Sequence, residues 1–190
     1  PVFLIRNLSY YVEFFKAGEE AHGKPPFKFL FPSLNPFTWR WKEAKILLVD
    51  LGLIKALTKI SSPLAIQYWS MTPYKLGDQA IKFFIKPAPQ NQTPHPKSFT
   101  KDYLRESLSQ FLRNHEAQFD FIVQLQTDPH TMPIEDPTVE WVGCPEYKVA
   151  TIHIPKQRFD TEEQFTFGEN LAFTPWHCLP EHRPLGSVNR

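Results

Sequence analysis

The sequence is poor in the features that usually indicate a compartment or a charged partner. It has only two cysteines, Cys144 and Cys178, so a disulfide framework is excluded. We interpret both as free thiols and expect a reducing, cytoplasmic setting. There is no apolar run of about 18 residues or more, so no membrane-spanning helix is predicted. The formal net charge of +1, without a basic block, gives no electrostatic argument for binding nucleic acid or an anionic membrane.

Common catalytic and metal-binding signatures are also absent. The chain has no glycine-rich phosphate loop, no Gly-x-Ser-x-Gly elbow, no Cys-x-x-Cys and no His-Glu-x-x-His. His177, Cys178 and His182 lie close together in sequence, which raises the alternative of a zinc site. Their spacing fits no standard zinc pattern and no fourth ligand is evident. We therefore interpret them as solvated or hydrogen-bonded side chains.

Three acidic residues, Glu135, Asp136 and Glu140, raise the alternative of acid–base chemistry. Asp136-Pro137 is more simply a turn, in which the aspartate accepts bonds from backbone amides and the proline fixes φ. His153 falls within a predicted strand and receives no catalytic role. The sequence therefore predicts no catalytic residue and no metal ligand in this segment.

Aromatic residues and prolines are abundant instead. Aromatics are 15% of the chain, with 17 Phe, and there are 19 prolines against 7 glycines. Disordered chains lack aromatics, so this composition indicates a globular chain with proline-bounded connections. A length of 190 residues suits a single domain, 1–190. The aromatics either fill a core, which composition alone favours, or line an apolar cofactor pocket.

Strand patterns dominate the second half of the chain. The segment 119–127 alternates between apolar and polar residues, and only Ile122 breaks the alternation. Further strands are predicted at 2–5, 65–72, 80–86 and 149–154, with a hairpin turn at 74–78. Because hairpins need no helix between strands, antiparallel pairing is favoured. A strongly twisted sheet that closes into a barrel would explain how so many strands and Phe residues are buried. We therefore predict an α+β, mainly β fold with an antiparallel β-barrel core and flanking helices.

Two amphipathic helices are predicted. Thr38 is expected to cap the first, near Trp39, and Gly52 to end or bend it. The apolar stripe of this helix is Ala44, Leu47, Leu48 and Leu51. Thr100 is expected to cap the second, whose apolar face is Leu104, Leu108, Phe111 and Leu112.

Capping and proline clusters mark the remaining segments. Thr161 with Gln164 fits a capping box and predicts a helical turn at 160–164. The segments 16–35, 87–96 and 175–190 contain clustered prolines and are predicted to be irregular.

Several segments carry motifs that are too specific for generic loops. They are PVFLIR at 1–6, FDFIVQLQT at 119–127, TMPIEDPTVEW at 131–141, KVATIHIP at 148–155, ENLAFTPWHCLP at 169–180 and EHRPLGSVNR at 181–190. In this order they resemble the catalase superfamily. Within it they are similar to the small catalase-like heme proteins, which are related to catalase-related peroxidases and allene oxide synthase domains. The similarity extends over nearly the whole chain and is weakest over 16–60.

The resemblance implies a heme-dependent oxidoreductase of the catalase or peroxidase type, acting on hydrogen peroxide or on organic, fatty-acid hydroperoxides. The family holds heme b through a tyrosine on the iron, which we expect beyond Arg190. Its distal His and Asn are expected before Pro1. The chain would then be the central part of the heme domain, with the peroxide chemistry belonging to the cofactor.

Residue by residue, the resemblance assigns only the wall of a heme pocket. Tyr11 takes the position of a phenylalanine that stacks over the heme, and Pro175 that of a proline packing beneath the porphyrin. The six residues assigned to the wall are Phe3, Leu4, Tyr11, Met71, Thr72 and Pro175. Ordinary core packing is the alternative for all six.

A non-enzymatic alternative also remains open. Without its iron ligand the chain would be an inactive catalase-like fragment, or a barrel that binds an apolar ligand without heme chemistry. Such a piece would expose strand edges and apolar surface, so we expect it to associate into homo-oligomers.

Overall fold

The computed structural model describes residues 2–22, 26–57, 60–95 and 99–189. Within these residues, three helices precede three strands, and a fourth helix, two further strands and a fifth helix follow in an α+β arrangement. The helices are α1 (Leu8–Glu20), α2 (Phe27–Leu30), α3 (Trp41–Leu57), α4 (Tyr103–Asn114) and α5 (Glu162–Glu169). The strands are β1 (Tyr68–Trp69), β2 (Tyr74–Leu76), β3 (Gln79–Pro87), β4 (Ala117–Leu125) and β5 (Glu146–Ile154). Helical residues outnumber strand residues, so the mainly-β part of the prediction is wrong while the α+β class is confirmed.

The strands form one antiparallel sheet in the order β1-β3-β4-β5, and β2 pairs with the other end of β3. Barrel closure requires the two edges of a sheet to pair with each other. In the described ranges the sheet stays open, because β1 and β2 pair only with β3 and β5 pairs only with β4. With lengths of two and three residues, β1 and β2 are also too short to carry a closing ladder. The predicted barrel is therefore not supported by the described residues.

The central strand β4 confirms the strongest sequence signal. It pairs with β3 from Ile81↔Leu125 to Pro87↔Phe119. Its pairing with β5 shifts register between Phe121 and Ile122, where a β-bulge leaves one β5 residue, Val149, out of the ladder. A bulge adds one residue to one strand and interrupts the regular side-chain order. The break in alternation at Ile122 therefore coincides with a real irregularity of the ladder.

The main core lies between the sheet and α4. Leu64, Leu112, Ala117 and Phe119 are buried together, and Leu108 and Phe111 pack against them, which confirms the predicted apolar face of α4. The helix begins at Tyr103, after Asp102, so the predicted cap at Thr100 is wrong. The Thr100 hydroxyl instead donates to the Glu106 carboxylate at 3.1 Å.

A buried asparagine joins this core to the loop that follows β3. Asn91 is fully buried, and its Nδ2 donates to the carbonyl oxygens of Leu64 at 3.1 Å and Gln118 at 2.7 Å. Its Oδ1 accepts a bond from the Gln118 amide at 3.0 Å. The asparagine satisfies backbone groups that the proline-rich segment would otherwise leave unpaired inside the protein.

A second, smaller core joins the first three helices. Phe29, Leu30 and Ala44 are buried there, with Tyr10 and Phe14 of α1 packed against them. The prediction of an irregular segment at 16–35 is wrong, because α1 runs to Glu20 and α2 follows it. The Asn7 side chain caps α1 by accepting a bond from the Tyr10 amide at 3.0 Å.

The N-terminal segment 2–5 is not a strand. Ile5 is buried, but the Phe3 amide donates to the Pro137 carbonyl at 3.0 Å outside any strand ladder. Burial therefore explains the apolar run without strand pairing.

The helix predicted near Trp39 is confirmed as α3, with three corrections. It begins at Trp41, and the Thr38 hydroxyl donates to the Asn35 carbonyl at 2.8 Å, so the predicted cap at Thr38 is wrong. The helix runs on through Gly52 to Leu57, so the glycine does not end it. Leu48 is largely exposed although Ala44 is buried, so only part of the predicted stripe faces the core.

The hairpin before β4 differs in its bounds from the prediction. Only Tyr68–Trp69 of the predicted strand 65–72 pairs in the sheet, and the predicted turn 74–78 contains β2. The chain reverses at Gly77 and Asp78, where Gly77 has a φ of +61° that glycine adopts without steric cost. The threonine half of the predicted capping box is confirmed: the Gln164 amide donates to Thr161 Oγ1 at 3.3 Å, and α5 begins after this cap. No helix among the described residues is long and apolar enough to cross a membrane.

Candidate cofactor-binding face

The last short 3-10 helix, Ser187–Asn189, brings distant segments of the chain together. The Thr72 hydroxyl donates to Asn189 Oδ1 at 3.3 Å. The Trp176 indole donates to the Asn189 carbonyl at 2.6 Å. Asn189 Nδ2 donates to the Leu185 carbonyl at 2.7 Å, which fixes the amide in place. Asn189 thus links Thr72 with the residue next to Pro175, two segments that the resemblance assigns to one pocket.

The segment 181–189 reaches this position by running along β2. The Lys75 amide donates to the Arg183 carbonyl at 2.9 Å, and the Leu185 amide donates to the Pro73 carbonyl at 2.9 Å. Pro184 forms an isolated antiparallel bridge with Tyr74. Backbone bonds therefore hold this irregular segment, as strand pairing would.

Met71 occupies an unusual backbone conformation next to Thr72. Its φ is +57°, in the left-handed region that non-glycine residues rarely adopt. The Thr72 amide donates back to the Ser70 carbonyl at 2.6 Å, and Ser70 is itself bonded to Phe83 of β3. Such strain persists only where the surroundings enforce it, and it occurs preferentially at ligand-binding sites. The Met71 side chain is exposed, so the strained turn presents a thioether at the surface.

Helix α1 carries an apolar face that the protein does not cover. Its inner side packs Tyr10 and Phe14 on the small core. Its outer side exposes apolar residues at i, i+3, i+4 and i+7, which form one stripe on a helix: Leu8, Tyr11, Val12 and Phe15. The rings of Tyr11 and Phe15 lie 4.7 Å apart between centroids. The helix also contacts the Ser187–Asn189 helix, whose Asn189 bonds to Thr72.

Phe3 and Leu4 join this region through the turn at 135–138. Both side chains are half-buried, and the Phe3 amide bonds to Pro137 as described above. In the same turn, Glu135 Oε2 accepts a bond from the Ser187 amide at 2.9 Å. The turn therefore connects the N-terminal segment with the 3-10 helix that holds Thr72.

The interpretation of Asp136 as a turn residue is confirmed. Its Oδ1 accepts a bond from the Thr138 amide at 3.1 Å. Although burial alone would raise it, hydrogen bonds from Thr138 and Lys42 hold the pKa of Asp136 below its ordinary value. Lys42 lies 3.2 Å and Arg6 3.6 Å from the carboxylate, so Asp136 remains an anion near neutral pH. It ties α3 and the N-terminal segment to the turn.

The six predicted wall residues are therefore linked through shared neighbours. Among the described contacts, no hydrogen bond or ring contact joins two of the six directly. Thr72 is buried, while Tyr11, Met71 and Pro175 are exposed. Core packing thus accounts for Thr72 and partly for the half-buried Phe3 and Leu4. It does not explain the three exposed residues. Sequence reasoning missed Asn189 and Trp176, whose hydrogen bonds organise this region. The only available signal was an asparagine, a residue typical of turns, close to a proline-rich run.

Other chemistry finds less support in the described part of the chain. His177, Cys178 and His182 are all exposed, and no three His, Cys, Asp or Glu side chains form a group able to hold a metal ion. The two clearest grooves, of about 640 Å³ and 420 Å³, lie along α4 and include none of the six residues. They do not define the candidate face.

A buried lysine is the strongest electrostatic feature that sequence reasoning missed. Lys82 of β3 is 3% exposed, and its Nζ donates to the Val139 carbonyl at 3.0 Å. The ammonium lies 5.2 Å from the centroid of the Trp141 ring. Burial lowers the pKa of Lys82 to about 8, although the charges of Glu140 and Asp136 oppose the shift. The available signal was a lysine in the middle of an apolar strand, flanked by Ile81 and Phe83.

Comparison with known proteins supports the fold part of the resemblance. No protein-family model matches the chain, and no curated protein matches it. Among solved structures, a fungal catalase matches with a TM-score of 0.61 and 16% sequence identity, over 97% of this chain and 39% of the catalase chain. The chain thus spans about two fifths of the length of that catalase. The chain shares a catalase-like fold with that protein.

Proposed function

We propose that this chain forms the wall of a heme site in a catalase-like oxidoreductase. The observation that carries the proposal is the convergence on Asn189. Thr72, the segment next to Pro175 and helix α1 are far apart in sequence and meet at the Ser187–Asn189 helix. The resemblance assigns one residue from each of these segments to a single pocket. The shared catalase-like fold supports the same assignment.

The exposed side chains of this region fit a flat apolar group such as heme b. The stripe on α1 includes the Tyr11 ring, and Met71 presents a polarizable thioether from a strained turn. In the proposed site Tyr11, Met71 and Thr72 would contact the heme, and Asn189 would hold Thr72 in place through its hydrogen bond. Heme supplies peroxide chemistry when it is bound, whereas these residues bind the ring and exclude water.

Hydrogen peroxide and organic hydroperoxides are the proposed substrates. The apolar character of the α1 stripe favours a fatty-acid hydroperoxide, since an acyl chain gains from contact with Leu8, Val12 and Phe15. Hydrogen peroxide would gain nothing from such a surface.

The same stripe also favours a second candidate, in which the chain binds an apolar ligand without heme chemistry. Leu8, Val12 and Phe15 would accept an acyl chain as readily as a porphyrin edge. An inactive catalase-like fragment remains the limiting form of this alternative.

A hemin titration of the chain tests the proposal. We expect saturable binding of one hemin per chain, followed by the Soret band, and about tenfold weaker binding in Tyr11→Ala because an aromatic contact and buried area are lost. Tyr147→Ala is the matched control, since Tyr147 is an exposed tyrosine on β5 outside the proposed site.

Three results separate the candidates. Equal weakening by Tyr11→Ala and Tyr147→Ala would show adventitious adsorption of hemin and contradict the proposal. Absence of saturable hemin binding, with saturable binding of a fluorescent fatty acid that Tyr11→Ala weakens, would favour the apolar-ligand candidate. Absence of both would leave the inactive fragment.

A further inference from the structure

We propose that the loop 31–38 docks this protein onto the surface of a phospholipid bilayer, and that anionic lipids strengthen the contact. The proposal is independent of heme binding, and its failure would leave the proposed function untouched. It rests on three features of the loop: an apolar tip, a rigid backbone, and positively charged residues on either side of the loop in sequence.

The tip of the loop consists of two apolar side chains that contact almost nothing. Leu34 and Phe37 are each 98% exposed. Single exposed apolar residues are normal on proteins, but clusters indicate a site of interaction. Phe27 and Trp41 at the base of the loop are also mostly exposed. All four apolar side chains are left mostly uncovered in the described structure.

The loop holds this shape through its own hydrogen bonds. The Phe37 amide donates to Asn35 Oδ1 at 3.1 Å, and the Ser33 and Thr38 hydroxyls bond to each other at 2.7 Å. Pro32 and Pro36 restrict the backbone further. A loop fixed in this way loses little conformational entropy when its tip is buried. The free energy gained from the apolar contact is therefore not offset by the cost of ordering the loop.

Two indoles form a collar behind the tip. The ring centroids of Trp39 and Trp41 lie 5.0 Å apart. The Trp39 indole donates to the Ser33 carbonyl at 2.8 Å, and the Trp41 indole donates to the Pro36 carbonyl at 3.3 Å. Tryptophan is enriched where a protein meets the headgroup layer of a membrane, because one side of the ring is apolar and the other is polar. The collar therefore suits the boundary between acyl chains and headgroups.

Charge distribution around the loop matches an anionic surface. The segment 31–39 has no charged residue, whereas the flanking positions carry Lys28, Arg40, Lys42 and Lys45. Glu43 is the one acidic residue within 27–45, and its side chain is buried 3.4 Å from the Arg6 guanidinium. Four basic residues therefore flank the uncharged loop in sequence.

The apolar tip should nevertheless supply most of the affinity. Lys28 pairs with Glu20 at 2.7 Å, Lys42 pairs with Asp136, and Arg40 pairs with Glu13, so most of the positive charge is already balanced. Among the described contacts, Lys45 is the flanking cation without an ion pair. Lysines near a bilayer each add modestly to binding, and salt screens that contribution. We therefore expect binding that anionic lipid strengthens and that salt weakens only in part. A protein docked in this way would meet lipid hydroperoxides at their source.

Vesicle flotation tests the proposal with the full chain. Two vesicle types are used, one of phosphatidylcholine and one of roughly three parts phosphatidylcholine to one part phosphatidylserine. The test variant is Leu34→Ser with Phe37→Ser, which removes the tip without touching the core. Phe173→Ser is the matched control, because Phe173 is 89% exposed and lies outside the loop.

The native chain and Phe173→Ser should float with the phosphatidylserine vesicles to the same extent. The double variant should bind about 100-fold more weakly, since two large side chains no longer enter the bilayer. Light scattering of all three proteins without lipid is measured in parallel.

Three outcomes would overturn the proposal. The first is no flotation of the native chain with either vesicle type. The second is equal loss of binding in Phe173→Ser and in the double variant, which would indicate general stickiness. The third is a change of oligomeric state in the double variant with unchanged flotation, which would assign the tip to a contact between copies of the chain.

Discussion

The body formed by β3, β4 and α4 and the segment 162–183 use apolar residues in opposite ways. In the body, Phe119 and Leu112 are almost fully buried between sheet and helix. In the segment 162–183 every residue is exposed, including Phe167, Phe173 and Leu179. Apolar residues in the first region stabilise the fold, whereas those in the second add little to it. They remain available for contacts with something other than this chain's own core.

Phe119→Ala should have the largest effect. Phe119 is 3% exposed within the main core, so its truncation leaves a cavity and should lower the free energy of unfolding by about 3–5 kcal/mol. Phe173→Ala should change it by less than about 0.5 kcal/mol, as is usual at the surface. Urea denaturation followed by circular dichroism measures both. Similar losses in the two variants would show that the segment 162–183 belongs to the same core and would remove the contrast.

Lys82→Met probes a polar group inside the body. Burial lowers the pKa of Lys82 from 10.5 to about 8, so between these values the unfolded chain binds more protons than the folded chain. Stability of the native chain should therefore rise with pH from about 8 to 10.5, by about 3 kcal/mol in all. Below pH 8 Lys82 is protonated in both the folded and the unfolded chain, so the folded chain bears the full cost of burying the charged ammonium. Lys82→Met should lack this rise.

The control for this pH series is Lys86→Met, because Lys86 is an exposed lysine on the same strand. Urea midpoints between pH 7 and 10.5 should give the same profile for Lys86→Met as for the native chain. If Lys82→Met also keeps the native profile, the ammonium is solvated and the body is less tightly closed than described.

The elements of the fold that could be predicted from the sequence were those that a local residue pattern determines. The alternation of 119–127 gave β4, and the break at Ile122 marked the bulge. The Thr161 and Gln164 pair gave the start of α5. Helix α1 escaped notice because it is apolar on two faces, with Tyr10 inside and Tyr11 outside, so no single stripe stands out.

Long-range pairing was the part that local patterns could not give. Barrel closure was inferred from the number of strands and aromatics, yet β1 ends after two residues because Met71 turns the chain into the left-handed region. The convergence of Thr72 and Trp176 depends on two acceptors of one asparagine, the side-chain oxygen and the backbone carbonyl of Asn189, and a single residue shows no periodicity in the sequence. The resemblance to catalases named the segments of the candidate face, and only the structure identified Asn189 as their common partner.

Thr161→Ala should have the smallest global effect and gives the sharpest test of the contrast. Thr161 caps α5, and loss of a threonine cap destabilises a helix by about 1 kcal/mol. All residues of α5 are exposed, and Arg105 over the Phe165 ring at 5.8 Å is its described ring contact with α4. Fraying of α5 should therefore leave the stability of the body unchanged. Amide exchange within 165–169 should quicken about fivefold while the urea midpoint stays unchanged. Thr166→Ala, which alters an exposed threonine of the same helix but not its cap, should not quicken exchange. A drop in the urea midpoint with Thr161→Ala would mean that α5 and the body unfold as one cooperative unit.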